Sequence, residues 1–126
     1  LPGRPTMLFR PPYGAHNERI DAMMAKQNLA MINWAADSND WQNRDPGKIT
    51  KAVTQYAATY TQPIVVLHDT YQATADATSG LIEALRHKGM TLVTVSELTV
   101  NTGGLEAGKV YCRGTAVNQS GFGCHS

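Results

Sequence analysis

Pro63-Ile64-Val65-Val66-Leu67-His68-Asp69 is the stretch that decides how the chain is read. A β-branched run this short, opened by a proline and closed by polar residues, reads as a strand packed on both faces, as in a parallel sheet. His68 stands at its C-terminal end. In parallel α/β folds the loops converge at that end and sites are built there. Two further polar clusters, Arg10-Pro11-Pro12-Tyr13 and Asp37 to Trp41, also follow apolar strand-like runs. Three site elements are therefore expected on one face.

Working outward, Thr6 to Phe9 is strand-like, and Arg10 to Gly14 must leave it as a stiff, non-helical turn, because neither proline can donate to a ladder. Asn17 can cap a helix whose apolar side is Ile20, Met23, Met24 and the stem of Gln27. Leu29 to Trp34 is a second strand-like run, and Ala35 to Arg44 is a polar loop. Asp45 followed by Pro46 is a helix start, with cap and first-turn proline in the preferred places. The one-sided stripe Ile49, Ala52, Val53, Tyr56, Ala57 and Tyr60 continues that helix.

Beyond the central strand, a loop from Asp69 to Thr78 leads to a helix carrying Leu81, Ile82 and Leu85. Arg86, His87 and Lys88 with Gly89 close it. Thr91 to Val95 reads as a fourth strand, and Ser96-Glu97-Leu98 as one more helical turn. Strands alternating with amphipathic helices mean an α/β fold of right-handed βαβ units. Four strands could make an open sheet, but doubly apolar strands suit a closed barrel, which needs about twice as many. Exposed edges argue for the C-terminal part of an irregular (β/α) barrel. Residues 1–101 are assigned to it. Residues 102–126, where the apolar periodicity stops, are read as an irregular Gly/Ser-rich tail.

The 126 residues with 42% hydrophobic content are one domain's worth of material or part of a larger one. A net charge of +1 with interspersed signs gives no patch for nucleic acid or an anionic membrane. No apolar run approaches the ~18 residues of a membrane span, and Leu1-Pro2-Gly3-Arg4 has no signal-peptide core, so a soluble, already processed chain is expected. Cys112 and Cys124 lie close together in the tail. With only His125 beside them they make a poor metal ligand set, so a disulfide and a secreted protein are expected.

The three clusters together resemble the polysaccharide deacetylase (NodB-homology) family, carbohydrate esterase family 4, which are metal-dependent enzymes on an irregular (β/α) barrel. Arg10-Pro11-Pro12-Tyr13 is similar to the family's Arg-x-Pro-Tyr motif, Asp37-Ser38-Asn39-Asp40-Trp41 to its Asp-x-x-x-Trp motif, and Leu67-His68-Asp69 to its Leu-x-His strand end. Order and spacing agree from Thr6 to about Leu98, and the tail lies outside. The family's Thr-Phe-Asp-Asp-Gly motif, with the catalytic base and a metal-binding aspartate, and its His-x-x-x-His ligand motif are not in this sequence. The resemblance therefore implies a divalent metal, zinc, bound by residues missing from this chain, with none bound by the chain itself. It also implies the N-terminal part of the same barrel as a partner.

His68 is read as a general acid, since breaking an amide or ester needs a proton delivered to the leaving atom and imidazole titrates in the useful range. Asp69 cannot orient it, because adjacent strand residues point to opposite faces. Asp37, one strand over, is the expected partner that favours the imidazolium, and the resemblance implies the same pairing. Loop capping is the alternative for both Asp37 and Asp40, and Asp69 is read as a cap or turn residue. Arg10, rigid at a strand end, suits a bidentate carboxylate. The resemblance makes that carboxylate the missing base, which would leave Arg10 a buried, unpaired cation here. Tyr13 is assigned a backbone N–H for the oxyanion, while its ring is free to pack. Trp41 is either a groove wall for sugar or a pin for its loop. Leu67 is either a contact for the acetyl methyl or a core residue, and Pro12 joins them in the substrate-binding set.

The implied reaction is hydrolytic deacetylation of an N-acetyl amino sugar polymer or of acetylated xylan. A catalytically silent glycan-binding module is the alternative.

Overall fold

The computed structural model describes residues 6–117 and Cys124. The elements run β1 (Leu8–Phe9), α1 (Glu18–Lys26), β2 (Ala30–Ile32), β3 (Ala36–Asp37), α2 (Pro46–Thr59), β4 (Val65–Val66), α3 (Gln72–His87), α4 (Val95–Thr99), β5 (Val110–Tyr111) and β6 (Ala116–Val117). Two parallel βαβ units stand out, β1-α1-β2 and β3-α2-β4. β5 adds to the first sheet, parallel to β2, and β6 returns antiparallel to it. The two sheets are joined where Ala35 N donates to Ile64 O at 3.0 Å and Ile64 N donates to Cys112 O at 2.9 Å.

The helix starts are set by local chemistry. Asn17 caps α1, its side chain accepting from Ile20 N at 3.0 Å. Asp45 caps α2 through Lys48 N at 3.0 Å, with Pro46 supplying the preset φ of the first turn. A reciprocal capping box between Thr94 and Glu97 opens α4. On α2, Ile49, Val53 and Ala57 are buried. Val53 and Ala57 meet Leu81 and Leu85 of α3 in one apolar cluster.

Around β4 the expected two-faced packing is found. Val65 and Leu67 lie against the α2–α3 cluster, and Ile64 lies against Ala30, Ile32 and Tyr111 on the other side. A third cluster, Met31, Ala35, Val110 and Cys112, receives Ile20 and Met24 of α1. Met23 of the same helix is half exposed.

Three expectations need correction. Thr91 to Val95 is not a strand: among the described residues it pairs with no other strand, Val95 already opens α4, and Leu92 and Val93 are exposed. Helix α3 begins at Gln72, not after Thr78, so most of the presumed loop is helix. The stretch read as an irregular tail supplies β5, whose Val110 and Tyr111 are buried next to β2 because they complete the apolar sheet face left beside Met31 and Ile32. Gly108, just before it, has φ +79 and lies so close to α1 that a Cβ would meet that of Ala25 at 2.7 Å. Cys112 and Cys124 are joined in a disulfide with Cα atoms 5.8 Å apart. The rest of the sequence beyond Val117 lies outside the described residues.

Candidate active site

His68 leaves the end of β4 two residues after Val66, the last residue paired with β3. Its imidazole is 37% exposed and is held from one side by a carboxylate that is fully buried. That carboxylate belongs to Asp40. Oδ1 lies 2.7 Å from His68 Nδ1, and Oδ2 accepts from the His68 backbone N–H at 2.7 Å and from the Thr74 hydroxyl at 2.8 Å. Burial pushes the Asp40 carboxyl upward. The bonds from the His68 amide and imidazole, from Thr74 and from Ser38 outweigh burial and hold its pKa below the usual carboxylate range. Asp40 is therefore an ionised acceptor, and Nδ1 carries the hydrogen facing it.

The expected pairing of His68 with Asp37 is not what the structure shows. Asp37 accepts from the Trp34 indole at 3.1 Å and from Asn39 N at 2.8 Å, so it shapes the loop. The reason lies in register. Asp37 pairs with Val66, two residues short of His68, so a partner for His68 must come from further along the loop.

The Arg10–Gly14 turn reaches the same loop through Asn33, whose side-chain amide donates to Gly14 O at 3.0 Å. Residues Pro12–Gly14 make a tight turn of 3-10 type whose middle residue, Tyr13, is in the left-handed region at φ 58, so the segment leaves β1 without helical backbone, as expected. Tyr13 is 94% exposed, so its ring is not packed among the described residues. Arg10 and Pro12 are also exposed. Among the described residues Arg10 makes no ion pair, and it is not the buried cation expected, because the strand ends before it reaches the covered interior. Trp41 is 50% exposed on the loop beside Asp40, while Leu67 is half-buried in the α2–α3 cluster. Tyr71 follows His68 at a ring separation of 6.0 Å, and the Arg44 guanidinium stacks on it at 3.5 Å, tying the Trp41 loop to the start of α3.

No protein-family model matches the chain. It is 38% identical over 95 residues to the peptidoglycan-N-acetylmuramic acid deacetylase PdaC of Bacillus subtilis, covering 75% of this chain and 19% of that protein. To the peptidoglycan-N-acetylglucosamine deacetylase PgdA of Listeria monocytogenes it is 35% identical over 103 residues, 82% of this chain and 21% of that one. Among solved structures, the T48 deacetylase with substrate superposes with a TM-score of 0.74 at 30% identity, over 83% of this chain and 50% of that one. A family 4 carbohydrate esterase from Streptomyces lividans in complex with acetate gives 0.65 at 31% identity, over 80% and 50%.

These relatives are polysaccharide deacetylases of carbohydrate esterase family 4, and the chain is similar to a part of them. It spans about a fifth of the curated deacetylases it matches and half of these two solved chains. Its parallel βα units are thus a C-terminal part of the deacetylase barrel. Family 4 enzymes are typically metal-dependent. The described residues do not fit a metal: no three His, Cys, Asp or Glu side chains come together among them, and Asp40 is already occupied by donors.

The sequence reading gave no role at His68 to two of the polar residues that build this site, Asp40 and Thr74. Asp40 is singled out only by the pairing of Asp37 with Val66, which the assembled sheet defines. Thr74 was hidden because the helix carrying it has no side-chain cap to announce its start.

Proposed function

We propose that this chain is the proton-donating side of a secreted, metal-dependent deacetylase that hydrolyses acetyl groups on a polysaccharide, either an N-acetyl amino sugar polymer or acetylated xylan. The observation that carries the reading is the His68–Asp40 pair at the mouth of β4, with the imidazole half exposed and the carboxylate sealed behind it. Asp40 holds Nδ1–H, and the other ring nitrogen is left to deliver a proton to the departing nitrogen or oxygen. Asp37 serves this pair only through the loop it shapes.

In the same reading the Tyr13 N–H donates to the oxyanion, where one such donor is typically worth ~3 kcal/mol of barrier. Arg10 meets a carboxylate from outside this chain. Trp41 offers its face to sugar C–H surfaces beside Pro12, and Leu67 lies behind the acetyl methyl. The divalent metal, zinc, belongs to residues this chain does not contain, and the barrel strands that carry them are its partner. The disulfide and the peptidoglycan deacetylases among its relatives support an extracellular setting.

The test is acetate release from chitooligosaccharides and from acetylated xylan by the protein carrying this chain, with zinc present. His68→Ala should lower kcat by about 10²- to 10⁴-fold while the fold persists. Undiminished turnover in that variant overturns the role of His68. Glycan binding without any acetate released by the wild type replaces the enzyme with a binding module.

A further inference from the structure

We propose that Thr74 is a positioning residue for the acid: through its hydroxyl it locks the Asp40 carboxylate in the orientation that keeps one oxygen on His68 Nδ1. The inference rests on the reading of His68 as the proton donor. Thr74 is 4% exposed and Asp40 is fully buried, so the bond between them is shielded from water. Asp40 Oδ2 is shared by two donors from different elements, the His68 amide on the strand end and the Thr74 hydroxyl on α3.

With Oδ2 fixed at two points the carboxylate cannot rotate about its own axis, and Oδ1 stays 2.7 Å from Nδ1. The helix makes the hydroxyl a fixed point, because Leu81 and Leu85 anchor α3 on Val53 and Ala57. Without Thr74 Oδ2 loses its helix-borne donor, the carboxylate is freer to turn, and the imidazole loses its fixed Nδ1–H. Among the described residues, the other groups beside the pair are Ser38 from the loop and the Tyr71 ring with Arg44 stacked on it.

Two variants and three readouts test this. Thr74→Val keeps the shape and removes the donor, whereas Thr74→Ser keeps the donor. Nitrogen-15 spectra of the neutral His68 ring should show Nδ1 protonated in the wild type and in Thr74→Ser. In Thr74→Val the two ring nitrogens should mix. The Asp40 carboxyl, followed by carbon-13 through a pH titration, should move up toward the ordinary carboxylate range in the valine variant alone. Acetate release should fall about tenfold in that variant and recover with serine, the loss expected for one misplaced hydrogen bond.

If the valine variant keeps the wild-type ring tautomer and Asp40 midpoint, Thr74 does not position the pair, whatever the His68→Ala result. If both move while His68→Ala retains turnover, the hydrogen-bond lock stands but it does not serve catalysis, and the proposal falls with the acid role. A wild-type spectrum without a slowly exchanging Thr74 hydroxyl proton overturns the lock even if the valine variant fails to fold.

Discussion

Asp40 keeps its negative charge inside the molecule because donors are already in place around it, and this gives it a pH signature. Its pKa in the folded chain lies below the ordinary carboxylate value, so the folded state binds the proton less readily than the unfolded one. The stability it contributes is then complete above the unfolded pKa and is lost as pH falls through the lower folded value. Urea midpoints should be flat from neutrality to about pH 5 and drop below about pH 4, and Asp40→Asn should flatten that acid limb. The same variant turns an N–H₂ toward the His68 amide or imidazole and should cost about 2–3 kcal/mol at pH 7.

Asp37→Asn is the contrasting case. Its amide oxygen can still accept from Trp34 or Asn39, so a loss of about 1 kcal/mol is expected with the His68 tautomer unchanged. A changed tautomer in this variant would return Asp37 to the role first assigned to it. At this scale the sequence offered two aspartates three residues apart in one loop. Only the pairing of Asp37 with Val66 separates them, and pairing is not a local property.

The helices show where local chemistry suffices and where it does not. Helix α2 was legible because its cap, its proline and its apolar stripe all lie within its own span, and Asp45, Ile49, Val53 and Ala57 take the places expected of them. The start of α3 was missed because Tyr71 offers no cap and the first two turns are polar or small, with only Thr74 and Ala77 facing inward. Strand β5 was missed because two residues between glycine-rich loops carry no period, and its position follows from a vacancy beside β2 that only the assembled sheet defines. The α2–α3 seam is the element most sensitive to truncation. Leu81→Ala should destabilise the chain by about 2–5 kcal/mol in denaturant titration, with the slope unchanged. A loss under about 1 kcal/mol would mean that the seam relaxes around the missing methyls.

Across the whole molecule, the segment from Thr91 to Val95 was expected to be a strand and instead lies open. Its β-branched and apolar residues, Thr91-Leu92-Val93-Thr94-Val95, suit a strand, but composition cannot show whether a neighbour is present to pair with it. Leu92 and Val93 are exposed, and together with Ile64, Val65, Leu85 and Met90 they line a groove of about 580 Å³ beside the β4 edge. The backbone amides of Thr91, Leu92 and Val93 make no hydrogen bond among the described residues. A strand edge of this kind, apolar and unpaired, is completed by pairing with another strand. In the proposed barrel that strand comes from the part this chain does not span. Hydrogen exchange then distinguishes the two states. In the chain alone these three amides should exchange at nearly unprotected rates while those of β2 stay protected, and in the complete barrel they should slow by at least about a hundredfold, a local opening energy near 3 kcal/mol. Equal exchange in both would mean that no strand pairs with this edge and that the barrel closes elsewhere.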